Sequence, residues 1–238
     1  MTVPRLHVTE RLAAGHAIRL GGDRAHYLRN VLRLREGAGL QLFNAEDGEW
    51  RATLVGQARH EVAIAVAERI RPAVAEPGPT LVFAPIRRNR LEWLVEKAVE
   101  LGVARLVPVL TQRTVVRLEG SGRLEAIAIE AAEQCERLTV PVIDPPRPLQ
   151  DWLAGRDASA RLLLAHERGD GPPVQRALAA ARDADLMIGP EGGFTPEETA
   201  LLLALPQAAA VSLGRRILRA ETAALVMLAA WQGAHAET

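Results

Sequence analysis

Residues 185–224, DLMIGPEGGFTPEETALLLALPQAAAVSLGRRILRAETAA, contain the pattern that decides the fold of this chain. Two apolar runs, 186–188 and 208–213, are each followed by a glycine-containing loop and then by a predicted helix. Because this order recurs, it predicts two buried parallel strands whose loops meet at the carboxyl edge of an α/β sheet. Ligands usually bind at that edge, so we expect the functional site there.

The helices after the two loops carry distinct signals. Thr195 is a good N-cap, Pro196 suits the first turn, and Glu198 completes a capping box, so the first helix is predicted to begin at Pro196. The final helix, predicted over 220–233, is apolar on most sides. Such a helix must be buried, either in the core of its own chain or against a second copy.

The first loop is rich in glycine. Gly189, Gly192 and Gly193 allow backbone groups to approach a ligand closely, because no Cβ intervenes. A tight connection between a strand and a helix would use the same glycines, so the loop alone leaves both interpretations open. No Lys-Ser/Thr pair follows, which excludes a P-loop, and the spacing is not GxGxxG, which argues against a Rossmann-type nucleotide site.

The chain changes character near residue 72. Residues 1–71 predict a small barrel of short strands around one helix, with strands at 6–8, 17–20, 39–43, 50–55 and 61–66. Residues 71–79 contain three prolines and are predicted to be a stiff linker. Beyond the linker, predicted strands alternate with predicted helices, which favours a mainly parallel sheet.

Charge is unevenly distributed in a chain whose formal net charge is zero. Residues 1–71 hold eleven arginines and eight acidic residues, so a polyanion would bind in this first third. A helix is predicted over 23–35, where the spacing puts Arg29 and Arg33 on one face, within reach of successive phosphates. A solvated helix face would show the same pattern.

Composition excludes several classes of protein. Hydrophobic residues make up 48% of the 238 residues and charged residues 24%, which is typical of a globular protein. No signal segment or long apolar run is evident, so we expect a soluble, cytoplasmic protein. Six histidines and one cysteine show no ligand spacing, so no metal site is expected. Cys135 lies on the apolar stripe of a helix predicted over 122–138 and is expected in the core.

Several stretches together resemble a known family. GPEGGFTPEE (189–198) and LGRRILRAETAAL (213–225) are similar to the signature of RsmE-type enzymes, the 16S ribosomal RNA (uracil-N3)-methyltransferases of the SPOUT class. Further matches, in order along the chain, are HYLRNVLRLREG (26–37), RNRLEWLVEKAVELGV (88–103), VPVLTQRTVV (107–116) and EAAEQCERLTVPVI (130–143). The resemblance therefore covers nearly the whole chain.

The resemblance implies an α/β fold with two domains. A small PUA-like RNA-binding β-barrel would occupy residues 1–72, and a SPOUT α/β trefoil-knot methyltransferase domain would occupy residues 73–238. It also implies S-adenosylmethionine-dependent methylation of uridine N3 at position 1498 of 16S ribosomal RNA in the small ribosomal subunit. The expected assembly is a homodimer formed through the knot domain.

The resemblance further implies a set of site residues. Three loops would hold S-adenosylmethionine, through Leu164, Ala165, His166, Ile188, Gly189, Pro190, Glu191, Gly192, Gly193, Leu213, Gly214, Ile217, Leu218 and Arg219. The candidates for RNA contacts are Arg24, Arg29, Arg33, Arg87, Arg88 and Arg113. Arg219 is the candidate for stabilising a deprotonated uracil. Glu221 would orient Arg219 or accept the proton, or be only a carboxylate in the first turn of the last helix.

Two other functions are open from the sequence. A non-catalytic ribosome-assembly factor would need the RNA-binding barrel but not the glycine loops. A knotted methyltransferase acting on transfer RNA or on a ribose 2′-hydroxyl would need the loops, but the predicted N-terminal barrel disfavours it.

Overall fold

The computed structural model describes residues 3–118, 120–166, 171–181 and 183–235, and they form two compact units. The first unit contains residues 1–76 together with 132–139, and the second contains 77–131 and 140–238. The predicted boundary at residue 72 falls four residues before the end of the first segment. Sequence reasoning did not anticipate that residues 132–139 belong with the first unit.

The first unit is built on a mixed five-stranded sheet. Its strands are β1 (Arg5–His7), β2 (Ala17–Gly21), β3 (Gly39–Asn44), β4 (Gly48–Gln57) and β5 (Glu61–Arg71), in the order β1-β3-β4-β5-β2. Only the β1–β3 pair is parallel. Alternate residues in the first half of β5 are buried, as the period-two pattern of the sequence predicts. Each of the five predicted strands overlaps one of these observed strands, and the prediction is confirmed.

The predicted helix over 23–35 is wrong in its second half. An α-helix, α1 (Gly22–His26), passes into a π-helical turn at Tyr27–Val31, and Arg33 has a left-handed backbone with φ of 53°. The amide of Leu32 bonds to the carbonyl of Tyr27, a spacing of five residues that breaks the α-helical repeat. Arg29 and Arg33 therefore do not share a helix face.

A buried ion cluster joins the strands to residues 132–139 within the first unit. Glu49 is 4% exposed, and its two carboxylate oxygens lie 2.5 Å from Nε of Arg5 and Nε of Arg71. Arg5 also donates to the carbonyls of Ala132 and Arg137, and its guanidinium lies over the ring of Phe43. A charge removed from water needs such partners, because its desolvation is otherwise uncompensated.

The second unit contains a parallel sheet in the order β12-β10-β11-β6-β7-β8, with β9 paired to β7. These strands are β6 (Thr80–Phe83), β7 (Arg105–Leu110), β8 (Val142–Ile143), β9 (Arg147–Pro148), β10 (Leu162–Ala165), β11 (Asp185–Ile188) and β12 (Ala208–Val211). The predicted parallel sheet is confirmed. The loops after β10, β11 and β12 all leave from its carboxyl edge.

In the described part of the chain beyond the first segment, the helices are α2 (Arg88–Glu100), α3 (Gly122–Gln134), α4 (Leu149–Ala154), α5 (Val174–Ala180), α6 (Pro196–Leu203) and α7 (Ala220–His235). Helix α7 packs against α2, α5 and β11, which buries most of its apolar surface within the chain. Helix α3 ends four residues earlier than predicted, because Glu136 is left-handed with φ of 62°. Cys135 is consequently only half-buried, and its predicted core position is wrong.

Among the described residues, no helix is both long enough and apolar enough to cross a membrane.

We expect Arg5→Ala to destabilise the first unit by about 3 kcal/mol, because a buried carboxylate then loses one of its two cations. Hydrogen exchange of the β4 and β5 amides measures this loss as a lower free energy of opening. The control is Arg19→Ala, which removes an exposed pair with Glu61, 2.6 Å apart, and is expected to cost at most about 1 kcal/mol. Equal effects of the two substitutions would contradict a structural role for the buried cluster.

Candidate active site at the carboxyl edge of the parallel sheet

A cavity of about 370 Å³ lies in the second unit, where β10, β11 and β12 end. Its lining comes from the ends of these strands, from the loops that follow them and from the first turns of α2, α6 and α7. The lining residues are Arg90, Ala165, His166, Ile188, Gly189, Pro190, Glu191, Gly193, Phe194, Thr199, Leu213, Gly214, Arg216, Ile217, Leu218, Arg219, Ala220 and Ala223. The cavity lies at the carboxyl edge of the sheet, where we expect the functional site.

The loop after β11 needs its glycines for two different reasons. At Gly189, a Cβ would lie 2.9 Å from the ring of Phe194, closer than carbon atoms pack. Gly193 has φ of 69°, and its amide donates to the carbonyl of Pro190 at 2.8 Å, which closes a turn. Only glycine adopts that backbone readily, and at Gly193 no side chain separates the peptide groups of the turn from the cavity.

A capping box holds the far end of this loop. The amide of Glu198 donates to Oγ1 of Thr195 at 3.2 Å, and the amide of Thr195 donates back to Oε2 of Glu198 at 2.9 Å. The buried carboxylate also accepts from the amide of Gln112 at 2.8 Å, through Oε1. The predicted capping box is therefore confirmed, and Glu198 in addition ties the loop to the segment that follows β7.

The loop after β12 forms the opposite wall. Gly214 has φ of 114°, which favours glycine, and the loop that follows carries the lining residues Arg216, Ile217 and Arg219. Ile217 is 81% exposed although it is apolar, and Arg219 is also exposed. An apolar side chain beside two guanidinium groups suits a flat, partly charged ligand.

The third wall is the end of β10, with Ala165 and His166. The amide of His166 donates to the carbonyl of Val211 at 3.3 Å, while its ring atom Nδ1 is buried and has no partner among the described residues. A buried polar atom without a partner at a cavity wall suits a hydrogen bond to a ligand. The next residue, Glu167, lies outside the described residues.

Most residues expected to bind the cofactor meet at this cavity. All of them line it except Leu164, which is fully buried within β10, and Gly192, which lies against the side chain of Arg113. Sequence reasoning missed the lining residues Arg90, Phe194, Thr199, Arg216, Ala220 and Ala223. The position of Arg90 could have been predicted from the sequence. Its helix follows β6, and β6 pairs in parallel with β11, so both strands end at the same edge of the sheet.

Glu221 lies behind the cavity rather than in its lining. It is 8% exposed, its Oε1 atom lies 3.4 Å from Nη1 of Arg90, and its Oε2 atom has no partner among the described residues. The structure therefore pairs Glu221 with Arg90, and not with Arg219 as expected. Glu221 also lies in the first turn of α7, as one of the three interpretations of the sequence requires, and its role in the reaction stays a prediction.

The arginines expected to contact RNA are scattered, and several have protein partners. Arg24 lies 3.9 Å from Glu10, Arg29 donates to the carbonyls of Ala58 and Arg59, and Arg88 pairs with Glu92. Arg113 donates to the carbonyls of Gly192 and Phe194. Arg33 and Arg87 are exposed.

Two further observations concern the titratable and metal-binding side chains. Burial raises the pKa of Asp185, but this residue begins β11 and so lies at the amino edge of the sheet, away from the cavity. The shifted pKa therefore reflects packing and does not mark a catalytic base. Within the described part of the chain, no three metal-binding side chains come together.

Comparisons with known proteins agree with this architecture. A family model described as an RNA methyltransferase domain matches residues 76–232, and one described as an RNA methyltransferase PUA domain matches residues 20–66. The crystal structure of a ribosomal RNA small subunit methyltransferase E from Neisseria gonorrhoeae, bound to S-adenosyl methionine, matches with a TM-score of 0.85, 29% identity and 98% coverage of both chains. A putative methyltransferase from Legionella pneumophila, in complex with the same cofactor, matches with a TM-score of 0.85, 28% identity and 98% coverage of both chains.

Two relatives of this chain share the name of the Neisseria gonorrhoeae protein. A ribosomal RNA small subunit methyltransferase E from Rickettsia conorii is 33% identical over 241 residues, which cover 100% of this chain and 99% of that protein. A protein of the same name from Synechocystis is 34% identical over 216 residues, which cover 86% of this chain and 69% of that protein. This chain, with its PUA-like first unit and its parallel α/β second unit, therefore belongs to the ribosomal RNA small subunit methyltransferase E family of RNA methyltransferases.

Proposed function

We propose that this enzyme methylates N3 of a uridine in 16S ribosomal RNA, at position 1498, with S-adenosylmethionine as the methyl donor. The observation that carries the proposal is the cavity between the three loops after β10, β11 and β12. Similar structures from two organisms contain this cofactor, and the nucleotide position is the one implied by the sequence resemblance.

The residues present fit the cofactor. A volume of about 370 Å³ lies within the ordinary range of small-molecule sites, roughly 300–1,000 Å³. The turn at 190–193 offers peptide groups, Ile188, Leu213 and Leu218 offer apolar surface, and Nδ1 of His166 is a buried polar atom without a partner. When bound, S-adenosylmethionine supplies an electrophilic methyl group on a sulfonium that is already a good leaving group.

The chain's own task is then to position the uracil and make N3 nucleophilic. The N3 proton is lost about 2 pKa units above neutral pH, which corresponds to about 3 kcal/mol. A guanidinium beside a ring oxygen stabilises the resulting anion in a site that excludes water. Arg219 is exposed at the cavity wall and suits this role, while Arg90, held by Glu221, is a second cation on the wall.

Primer extension on 16S ribosomal RNA tests the reaction. A methyl group on N3 blocks Watson–Crick pairing, so reverse transcriptase is expected to stop at one position in RNA from cells that carry the gene. The stop should disappear on deletion of the gene and return when purified enzyme and S-adenosylmethionine act on small subunits from the deletion strain. A stop that persists after deletion would contradict the proposed substrate, and labelled product in transfer RNA would identify the alternative one.

Gly193→Val is expected to abolish binding of S-adenosylmethionine, because it adds a branched side chain to a left-handed turn in the cavity wall. Calorimetry with the purified protein measures the affinity. The matched control is Gly102→Val, because Gly102 also has a positive φ, 84°, but follows α2 at the opposite edge of the sheet. Equal affinity in both variants would remove the glycine loop from the cofactor site.

Arg219→Ala is expected to lower kcat at least about 100-fold and to change the affinity for S-adenosylmethionine little, because it removes an interaction made mainly in the transition state. Arg219→Lys should recover little of the rate, since a point charge does not reproduce the planar guanidinium. Single-turnover kinetics on small subunits measure this. Normal turnover of Arg219→Ala would leave the reaction in place and exclude only this residue.

Glu221→Gln separates an orienting carboxylate from a base. The amide oxygen still accepts from Arg90, so an orienting role predicts substantial activity and an unchanged pH profile. A proton acceptor would instead lose nearly all activity on this substitution.

A homodimer is also proposed, through helix α7. Thr222, Leu225, Val226, Ala229 and Gln232 follow helical spacing, are exposed or half-buried, and carry no charge. Trp231 is unsuitable as a probe, because it is buried in its own chain and stacks on His235. Ala229→Arg should instead yield a folded monomer by light scattering, and a wild-type monomer at micromolar concentration would contradict the proposal.

By the same resemblance, we propose that residues 73–238 form a trefoil-knot domain whose chain is knotted at its C-terminal end. The sheet order supports this proposal, because β12 lies at one edge beside β10, whereas α7, which follows it, packs against β11 and α2.

A further inference from the structure

A tight turn follows β7 at the carboxyl edge of the sheet. Thr114 closes it twice, through its amide to the carbonyl of Thr111 at 3.1 Å and through its hydroxyl, which accepts from the amide of Thr111 at 2.9 Å. Between these residues, Gln112 donates its amide to the buried Glu198 of the capping box. The turn is thus fixed to the segment that bounds the cofactor cavity.

Arg113, at the tip of this turn, makes a second connection to that segment. Its Nη1 atom donates to the carbonyl of Gly192 at 2.8 Å and is 3.3 Å from the carbonyl of Phe194. A charged donor strengthens such bonds relative to those between neutral groups. Although its side chain is exposed, Arg113 therefore has part of its donor capacity engaged by the protein itself.

The two carbonyls flank Gly193, the left-handed residue that lines the cavity. Neither Gly192 nor Gly193 has a side chain that would hold the peptide groups in place, and glycine loses more conformational entropy on ordering than other residues. Hydrogen bonds from residues outside the turn therefore determine the fraction of molecules in which the turn has the geometry that binds the cofactor. Arg113 supplies such bonds to Gly192 and Phe194, and the capping box of Thr195 and Glu198 fixes the segment that follows.

We infer that Arg113 is a positioning residue for the cofactor loop, which it holds through the carbonyls of Gly192 and Phe194, and is not principally an RNA contact. The inference rests on the proposed function, since it assumes that the cavity binds S-adenosylmethionine. Arginine suits the role, because the planar guanidinium fixes the direction of the two N–H donors on Nη1, whereas the ammonium of a lysine is a single rotating point charge.

The test compares binding of the two ligands in the full-length protein. Arg113→Ala is expected to weaken S-adenosylmethionine binding about tenfold by calorimetry, as follows if the loop is then competent about one tenth of the time. The value of kcat at saturating cofactor should stay within about threefold of wild type, because the bound loop is the same. Affinity for the small subunit and its salt dependence should not change.

Two variants serve as controls. Arg117→Ala removes the same charge from an exposed position four residues farther along and should leave cofactor affinity unchanged. Arg33→Ala removes an exposed arginine of the first unit that is proposed to contact RNA, and we expect it to lower the slope of log K against log salt by about one unit.

The outcomes separate the possible roles. Unchanged cofactor affinity in Arg113→Ala overturns the inference, and so does a salt slope that falls as in Arg33→Ala. A wild-type protein that binds no S-adenosylmethionine overturns the proposed function instead. Hydrogen exchange of the β7 and β11 amides checks that Arg113→Ala is folded like the wild type. If Arg113→Ala unfolds, Arg113→Lys replaces it and is expected to bind the cofactor severalfold less tightly than the wild type. Equal affinity of Arg113→Lys and the wild type would overturn the inference.

Discussion

Parallel pairing of β10 with both β11 and β12 is the constraint on which the site depends. Leu164 lies opposite Met187 on one side and Ala210 on the other, so all three strands end at the same level. The carboxyl ends of parallel strands lie at the same edge of a sheet. The pairing of the strands is therefore sufficient to bring the three loops together, and contacts between the side chains of the loops are not required. β10 and β11 are largely buried, whereas β12 lies at the edge of the sheet and only its Val211 is buried, so the prediction of a buried second strand is wrong for most of β12. Backbone pairing of the three strands brings together Ala165, Gly189 and Leu213.

The loops at that edge are held by polar groups outside the cavity. Glu198 accepts from two backbone amides, Arg113 donates to two carbonyls, and Glu221 lies beside Arg90. Arg113 and Glu221 contact Phe194 and Arg90, which line the cavity, whereas Glu198 fixes the start of the helix that follows the glycine loop. Such preorganisation matters because a misplaced loop lowers affinity in proportion to the time it spends elsewhere.

The first unit is stabilised in a different way. Its apolar core is formed by alternate strand residues, but a buried cluster of Arg5, Glu49 and Arg71 joins the strands to residues 132–139. Removing a single partner from such a cluster is costly, whereas the unperturbed cluster adds little net stability over apolar packing. The arginines of this unit therefore serve different ends, since Arg5 and Arg29 bind protein carbonyls while Arg33 remains at the surface.

The sequence by itself determined the strand–loop–helix order of residues 185–224, the capping box at Thr195 and the five strands of the first unit, because these depend on local periodicity and on backbone preferences. Strand order alone predicted that the loops after β11 and β12 meet at one edge, whereas the resemblance to a known family supplied the loop after β10 and most of the expected lining residues. Only the tertiary structure decided that Glu221 faces Arg90, that Arg113 binds the glycine loop and that residues 132–139 join the first unit. These contacts join residues far apart in the chain, and no local pattern specifies which distant carbonyl or carboxylate an arginine will reach. The π-helical turn at Tyr27–Val31 was also missed, because the apolar spacing of Leu28, Val31 and Leu32 is that of an ordinary α-helix.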